Sequence, residues 1–301
     1  MDFFHTLDLN FLGYSQAIAS YAFPHAGGVA LIESGPGSTL SNLEKALIDL
    51  GYTKNDVTDV LLTHIHLDHA GASGALARQG ATIHVHPRGA PHMIDPEKLL
   101  SSAERIYGDQ MDRLWGEFLP VPESQVHVVE DGEEIHIGTL GFTALDTPGH
   151  ANHHHAYLVR EVCFSGDVGG IRMPGLNQLR LPMPPPELNL EKWRQSVEKL
   201  KLADCKWIAP THFGVFDDPE RHLDDLARLI DAIDEWISKL MPSDPSVEEI
   251  DARFQEWTLQ QSQAAGISPD MISKYEAANP TWMSAAGIKR YWNKYRAPAQ
   301  S

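Results

Sequence analysis

The chain has 301 residues, 42% of them apolar, which is enough for a large hydrophobic core and is typical of a folded globular protein rather than a disordered one. Its formal net charge of −17 repels phosphate groups and argues against nucleic acid or an anionic membrane as the main partner. A small-molecule substrate is compatible with this charge, because a bound metal ion can reverse the local potential. The sequence leaves a homodimer open.

The start of the chain and its hydropathy give an expectation about location. Residues 1–5 lack the basic region and apolar run of a secretory signal. No apolar stretch approaches the roughly 20 residues needed to span a bilayer. We therefore expect a soluble, cytoplasmic protein.

Apolar periodicity and turn residues predict the elements in chain order. Strands are predicted at residues 21–23, 29–33, 57–63, 81–86, 126–129, 134–137, 142–146, 157–159, 161–164 and 207–209. Helices are predicted at residues 40–50, 68–79 and 190–200 and from residue 218 onward, with an irregular helical region at 88–120. Two sets of strands separated by helices predict an α/β domain with a covered sheet, and the pattern alone does not distinguish one sheet from two. The segment Pro-Ser-Asp-Pro at 242–245 predicts a boundary, with a main domain at 1–241 and a helical C-terminal extension at 242–301.

The most informative segment is Thr-His-Ile-His-Leu-Asp-His at residues 63–69. It follows an apolar strand, so His64 and His66 are expected to point the same way in extended backbone. A turn into a helix then brings Asp68 and His69 to a neighbouring position. Imidazole and carboxylate together suit zinc, iron or manganese better than calcium.

Three further ligand-type residues each follow an apolar strand. His150 ends Asp-Thr-Pro-Gly-His, Asp167 ends Cys-Phe-Ser-Gly-Asp, and His212 ends Ile-Ala-Pro-Thr-His. The carboxyl ends of strands are where α/β proteins place their sites. The joint pattern predicts one metal site built from all of these residues.

This ordered set of motifs resembles the metallo-β-lactamase fold superfamily and, within it, the glyoxalase-II-like and lactonase-like hydrolases. The resemblance covers roughly residues 20–215 and implies a four-layer αββα sandwich with two divalent metal ions, zinc best, with iron or manganese as alternatives. It implies that His64, His66 and His150 bind one metal, that Asp68, His69 and His212 bind the other, and that Asp167 bridges them. Asp68 would also orient the bridging water, and the metal-bound hydroxide would cleave a thioester, lactone or related ester. Fold membership alone does not decide the reaction.

Single residues and the net charge argue for or against the other reactions of this fold. Diiron oxygen reductases that resemble this pattern carry a glutamate where this chain has His66, and the acidic charge disfavours a nuclease. A persulfide-dioxygenase-like enzyme with one iron on His64, His150 and Asp167 remains the alternative. A metal-binding structural module is the non-enzyme alternative, against which the intact ligand set argues.

Several residues outside the ligand set have expected roles. His154 is a candidate for supporting the ligands from behind, and Arg172 is a candidate for contacting a substrate carboxylate. His84 and His86 alternate on a strand, where we expect a structural role. The aromatic residues of the tail after residue 246 are expected to pack this extension onto the main domain, and we expect the tail to affect substrate choice more than metal binding.

Overall fold

Two β-sheets lie face to face in the middle of the molecule. The computed structural model describes residues 3–297. The first sheet has the order β1 (His5–Asp8), β2 (Ala19–His25), β3 (Gly28–Ile32), β4 (Val57–Leu61), β5 (Thr82–Val85) and β6 (Val126–Val128). Its first three strands are antiparallel, whereas β3 to β6 are parallel.

The second sheet is mostly antiparallel. It contains β7 (Glu134–Ile137), β8 (Leu140–Asp146), β9 (His155–Val159) and β10 (Val162–Phe164), which are antiparallel neighbours. A short ribbon follows in the chain, formed by β11 (Ile171–Arg172) and β12 (Leu179–Arg180). The last strand, β13 (Trp207–Ile208), adds to the second sheet parallel to β10.

Helices cover the outer faces of both sheets. The helices that pack with the first sheet are α1 (Leu40–Asp49), α2 (Leu67–Ala70), α3 (Ser73–Ala77), α4 (Ala90–Ile94), α5 (Glu97–Tyr107) and α6 (Met111–Leu114). Those that pack with the second are α7 (Leu190–Lys201), α8 (Pro219–Leu240), α9 (Val247–Ala264) and α11 (Thr281–Tyr291), with α10 (Pro269–Ala278) between α9 and α11. Within residues 3–297, no helix combines the length and the apolar character needed to cross a membrane.

The alternation of side chains in the strands explains the four layers. In β2, Tyr21 and Phe23 enter the core between the sheets, whereas Ala22 packs under the helices of the first sheet. In β8 and β9, Phe142 and Tyr157 enter the same inner core from the other side. Central strands such as β2 and β3 are buried on both faces because the sheet is covered on both faces there, whereas the edge strand β7 exposes Glu134 and His136. The predicted αββα sandwich is confirmed.

The structure differs from the predicted elements at several points. Strands β1, β11 and β12 were not predicted, β4 ends at Leu61 rather than at residue 63, and the helix predicted at 68–79 is divided into α2 and α3. The division lies at Gly71, where a Cβ atom would be 2.7 Å from the backbone nitrogen of Gly37. The chain turns there to pack against the loop that follows β3.

The helices of the predicted extension share a core with the main domain. Ile250 and Phe254 of α9 and Ile288 and Tyr291 of α11 belong to the same apolar cluster as residues of α7 and α8. The boundary near residue 241 stays a prediction. The predicted domains 1–241 and 242–301 include residues 1–2 and 298–301, which lie outside the described residues.

Candidate metal centre

Seven side chains converge at the edge of the sandwich where strands of both sheets end. They are His64, His66, Asp68 and His69 after β4, His150 after β8, Asp167 after β10 and His212 after β13. Gly149 permits the tight approach of the β8 loop, because a Cβ atom there would lie 2.4 Å from the Cα atom of Trp193 in α7. The structure thus brings together every ligand that the sequence predicted.

Three imidazoles form the first group. His64 Nε2 lies 3.0 Å from His66 Nδ1, and His150 Nε2 lies 3.2 Å from His64 Nε2 and 2.9 Å from His66 Nδ1. Nitrogen ligands on a tetrahedral zinc ion are separated by about 3.3 Å. The spacing of the three nitrogens is therefore close to that of a common set of metal ligands.

Asp68, His69 and His212 form the second group, and Asp167 lies between the two groups. Asp68 Oδ2 is 3.5 Å from His69 Nε2 and 3.4 Å from His212 Nε2. Asp167 Oδ1 is 3.3 Å from His69 Nε2, whereas Asp167 Oδ2 is 3.3 Å from His150 Nε2. One carboxylate thus has an oxygen toward each group, as a bridging ligand requires.

Hydrogen bonds determine which nitrogen is available to a metal ion in four of the five histidine rings. The Nδ1 atoms of four rings meet oxygen atoms at 2.8–3.0 Å: His64 meets Thr63 Oγ1, His69 meets Glu33 Oε1, His150 meets the Pro182 carbonyl and His212 meets the Ala17 carbonyl. Carbonyl and carboxylate oxygens only accept, and the Thr63 hydroxyl already donates to Glu33. Each Nδ1–H is therefore a donor, and each Nε2 presents a lone pair to the centre.

The electrostatics of these groups fit a divalent cation. Burial lowers the pKa of His64, His66 and His150, so these rings are neutral and able to act as ligands. Burial opposes the charged form of His69 as well, but Asp68, Asp167 and Glu33 raise its pKa well above the usual value. Among the described residues, His69 Nε2 and Asp167 Oδ1 are buried without a hydrogen-bond partner. Converging lone pairs and carboxylates without donors are satisfied by a metal ion.

Glu33 is the residue of this centre that the sequence analysis missed. It is fully buried and accepts hydrogen bonds from His69 Nδ1 at 3.0 Å, from Thr211 Oγ1 at 3.2 Å and from the hydroxyl of Thr63. It follows β3, so it links the ends of three strands. The signal was present, since a carboxylate follows an apolar strand here as it does at Asp167.

The two other candidates from the sequence have different surroundings. His154 lies behind the ligands, with its Nδ1 2.8 Å from Thr147 Oγ1 and its Nε2 accepting from the backbone N–H of Val168 at 3.3 Å. It thereby supports the turn that carries Asp167. Arg172 instead donates to both oxygens of Asp218, at 2.6 and 2.9 Å, and does not line the cavity, so the structure replaces the expected substrate contact with an ion pair.

The centre forms the floor of a cavity of about 520 Å³. Five of the seven ligands line it, namely His66, Asp68, His150, Asp167 and His212. Its walls are largely apolar and come from α5 and α6 on one side and from the segment between α10 and α11 on the other. A small molecule can therefore reach the metal ligands from one direction.

Comparison with known proteins agrees with this geometry. The sequence model of the metallo-beta-lactamase superfamily matches residues 16–212 of this chain. The chain belongs to this superfamily. A metallo-β-lactamase family protein of Thermus thermophilus has a crystal structure that superposes with a TM-score of 0.67 over 98% of this chain and 94% of that chain. At 20% sequence identity, this similarity shows the fold alone.

Three relatives illustrate the range of the family. A metallo-β-lactamase fold-containing protein of Sulfurisphaera tokodaii is 28% identical over 52% of this chain and 60% of its own length. The atrochrysone carboxyl ACP thioesterase of Aspergillus fumigatus is 28% identical over 64% of this chain and 49% of its own length. The hydroxyacylglutathione hydrolase of Aeromonas hydrophila is 29% identical over 44% of this chain and 39% of its own length. The chain thus spans between 39% and 60% of the length of these three relatives.

Proposed function

We propose that this protein hydrolyses a thioester, a lactone or a related ester with a pair of divalent metal ions, zinc in preference to iron or manganese. The observation that carries the proposal is the convergence of seven ligand-type side chains, five of which line the floor of the cavity. His64, His66 and His150 would hold one ion and Asp68, His69 and His212 the other, with Asp167 shared. Two ions held in this way supply an activated water and a Lewis acid for the carbonyl oxygen.

Asp68 is the ligand best placed to act on the attacking water. Its side chain is 19% exposed, whereas that of Asp167 is 4% exposed. Asp68 also lines the cavity, and its Oδ2 lies between His69 and His212. Its carboxylate can therefore accept a hydrogen bond from a water molecule and orient it toward the substrate.

The two serines nearest to the ligands in sequence are poorly placed to act as nucleophiles. Ser165 and Ser73 lie near the ligands in sequence, but both are fully buried and neither lines the cavity. Ser73 is also hydrogen-bonded to Ser34 at 3.0 Å. A hydrolysis in which water attacks directly fits this arrangement.

The cavity walls indicate a substrate with an apolar part and an anionic group. Phe11 stacks on Trp115 with ring centroids 5.8 Å apart, and Tyr107 packs between Trp115 and Trp282 at 5.0 and 6.0 Å. These rings form a continuous aromatic wall suited to an acyl chain or a ring system. Arg88 and Lys98 line the same cavity and could bind a carboxylate or phosphate of the substrate. The aromatic wall with two basic side chains, together with the acidic net charge of the chain, favours a small-molecule substrate over nucleic acid.

Metal analysis of the purified protein tests the hydrolase against the one-iron alternative. We expect at least two zinc or manganese ions per chain and activity in a screen of thioesters, lactones, phosphoesters and β-lactams. One iron per chain on His64, His150 and Asp167, with oxygen consumption and no hydrolysis, would favour the persulfide-dioxygenase-like reaction instead. That outcome would leave the complete group of Asp68, His69 and His212 without a role.

The variant Asp167→Ala tests the shared ligand. Because Asp167 has an oxygen toward each group, we expect lower occupancy of both ions and loss of hydrolysis. The matched control is Asp59→Ala, which removes a carboxylate hydrogen-bonded to His84 at 2.8 Å and should keep both ions. Two bound ions and full activity in Asp167→Ala would remove this residue from the site.

A further inference from the structure

A second group of two histidines and one aspartate lies outside the seven ligands. It consists of His86, Asp146 and His155, each of which offers one ligand atom within 4.8 Å of the others. His86 Nε2 is 3.2 Å from Asp146 Oδ1, and the ring centroids of His86 and His155 are 4.6 Å apart. The sequence analysis expected a structural role for His86 and gave no role to the other two.

The two sheets bring these residues together. Asp146 ends β8 and is paired in register with His155, which begins β9, so their side chains lie on the same face of the second sheet. His86 directly follows β5 of the first sheet. The group therefore joins one sheet to the other at the edge that also carries the catalytic ligands.

The three consecutive histidines at residues 153–155 contact two different groups. His153 and His154 pack against His64, with ring centroids 6.1 and 5.1 Å apart, whereas His155 packs against His86 at 4.6 Å. The backbone N–H of His155 donates to the Thr63 carbonyl at 2.6 Å. This hydrogen bond holds the backbone between His154, whose side chain faces the catalytic ligands, and His155, whose side chain faces His86. The second group is thus a neighbour of the catalytic ligands and shares none of them.

His155 has an unexplained environment. Its side chain is fully buried, and neither ring nitrogen has a hydrogen-bond partner among residues 3–297. An imidazole always has one N–H donor and one lone pair, so complete burial without partners is costly. A metal ion bound by one nitrogen would satisfy the lone pair and explain why a histidine rather than an apolar residue occupies this position.

Charges around the group favour a cation. Asp146, Asp131 and Lys199 are all near His155, and the Nζ of Lys199 is 2.6 Å from Asp131 Oδ1 and 3.0 Å from the Asp146 carbonyl. Lys199 balances Asp131, which leaves the carboxylate of Asp146 to face the imidazoles. Asp146 is partly exposed, so an ion can enter from solvent and keep a water ligand.

We propose that His86, Asp146 and His155 bind a divalent cation of the zinc type that connects the two sheets beside the catalytic centre. Two imidazoles and one carboxylate are a ligand set for zinc, cobalt or nickel rather than for calcium or magnesium. The ion does not touch the substrate cavity, because none of its three ligands lines it. Its effect is on the stability of the sandwich.

Zinc stoichiometry and zinc-dependent melting test this site. The variants are His155→Phe, which keeps a buried ring, and Asp146→Asn, which keeps the shape of the side chain. Each is stripped with a chelator, dialysed against micromolar zinc and compared with wild type for zinc per chain and Tm. We expect a loss of about one zinc per chain in each variant, with hydrolysis within about twofold of wild type. Zinc should raise the Tm of wild type by about 3–6 °C more than that of either variant.

A matched control and a reference variant keep the result decisive. Asp59→Asn alters a similar pair, Asp59 with His84 at 2.8 Å, and should leave zinc content unchanged. Asp167→Ala alters the catalytic ligands, so its loss of zinc should add to that of His155→Phe in the double variant. Equal zinc content in wild type, Asp146→Asn and His155→Phe would overturn the proposal.

Discussion

Residues that do not bind metal decide the geometry of the candidate metal centre. Thr63, Glu33, Pro182 and Ala17 supply the oxygen atoms that accept from Nδ1 of four histidines. Each of these contacts sets the tautomer and orients the Nε2 lone pair. Among these partners Glu33 carries the only negative charge, and it faces His69, the ring that also contacts Asp68 and Asp167.

Replacing Glu33 by glutamine should weaken one metal ion selectively. The amide keeps the size of the side chain, but it removes the charge that holds His69 Nδ1–H and the Thr63 hydroxyl. We expect affinity for the second ion to fall by about 10- to 100-fold, with the ion on His64, His66 and His150 affected less. Zinc titration against a competing chelator measures both affinities.

The control for this variant is a carboxylate with an exposed partner. Glu44→Gln alters a glutamate on α1 that pairs with Lys54 at the surface, and zinc affinity should not change. Identical affinities in Glu33→Gln and wild type would show that the hydrogen bonds to Glu33 serve folding alone.

At the scale of elements, the C-terminal tail contributes side chains both to the hydrophobic core and to the wall of the cavity. Tyr291 is buried and its hydroxyl donates to Glu191 of α7, whereas Trp282 is 40% exposed and lines the cavity. Both residues belong to α11, yet they face different surroundings. The sequence predicted aromatic packing for this segment, and helical spacing alone could not distinguish these two roles.

Trp282→Ala should change substrate use without changing metal content. The indole forms part of the aromatic wall with Tyr107, 6.0 Å away, and every metal ligand lies before residue 213. We expect kcat/KM for the preferred substrate to fall by about tenfold, mainly through KM, because about 1–3 kcal/mol of apolar contact is lost. Steady-state kinetics and metal analysis of the same preparation check this.

Tyr291→Phe is the matched control on the same helix. It removes a hydroxyl that contacts Glu191 and Arg296 outside the cavity, so stability should fall slightly while kcat/KM stays unchanged. Unchanged kinetics in both variants would limit α11 to a structural role.

The sequence predicted elements well where local pattern and tertiary packing agree. Strands such as β3 and β8 are apolar runs with clear turns, and their ends carry the polar ligands that identified the centre. It failed where a distant contact decides. The helix predicted at 68–79 is interrupted where the Ala72 N–H donates to the Gly35 carbonyl, and Arg172 pairs with Asp218, 46 residues away. No local pattern contains either contact.

At the scale of the whole molecule, the ligands connect two sheets that are distant in sequence. His64, His66, Asp68 and His69 follow a strand of the first sheet, whereas His150, Asp167 and His212 follow strands of the second. Bound metal would therefore stabilise the contact between the halves of the sandwich. Without it, the buried lone pairs and carboxylates at this edge face one another with fewer compensating donors.

Removal of metal should consequently destabilise the entire sandwich. A ligand that binds only the folded state at about 100 times its Kd contributes about 2.7 kcal/mol. For a chain of this size we expect a chelator to lower the Tm by about 5–10 °C, with the two sheets unfolding in one transition because they share the inner core. Calorimetry with and without chelator measures the change, and added zinc should reverse it. Asp167→Ala should begin with a lower Tm and respond less to chelator, since its carboxylate contacts both ligand groups. An equal Tm for metal-loaded and metal-free wild type would mean that the sandwich holds its seven ligands in place without help from the ions they bind.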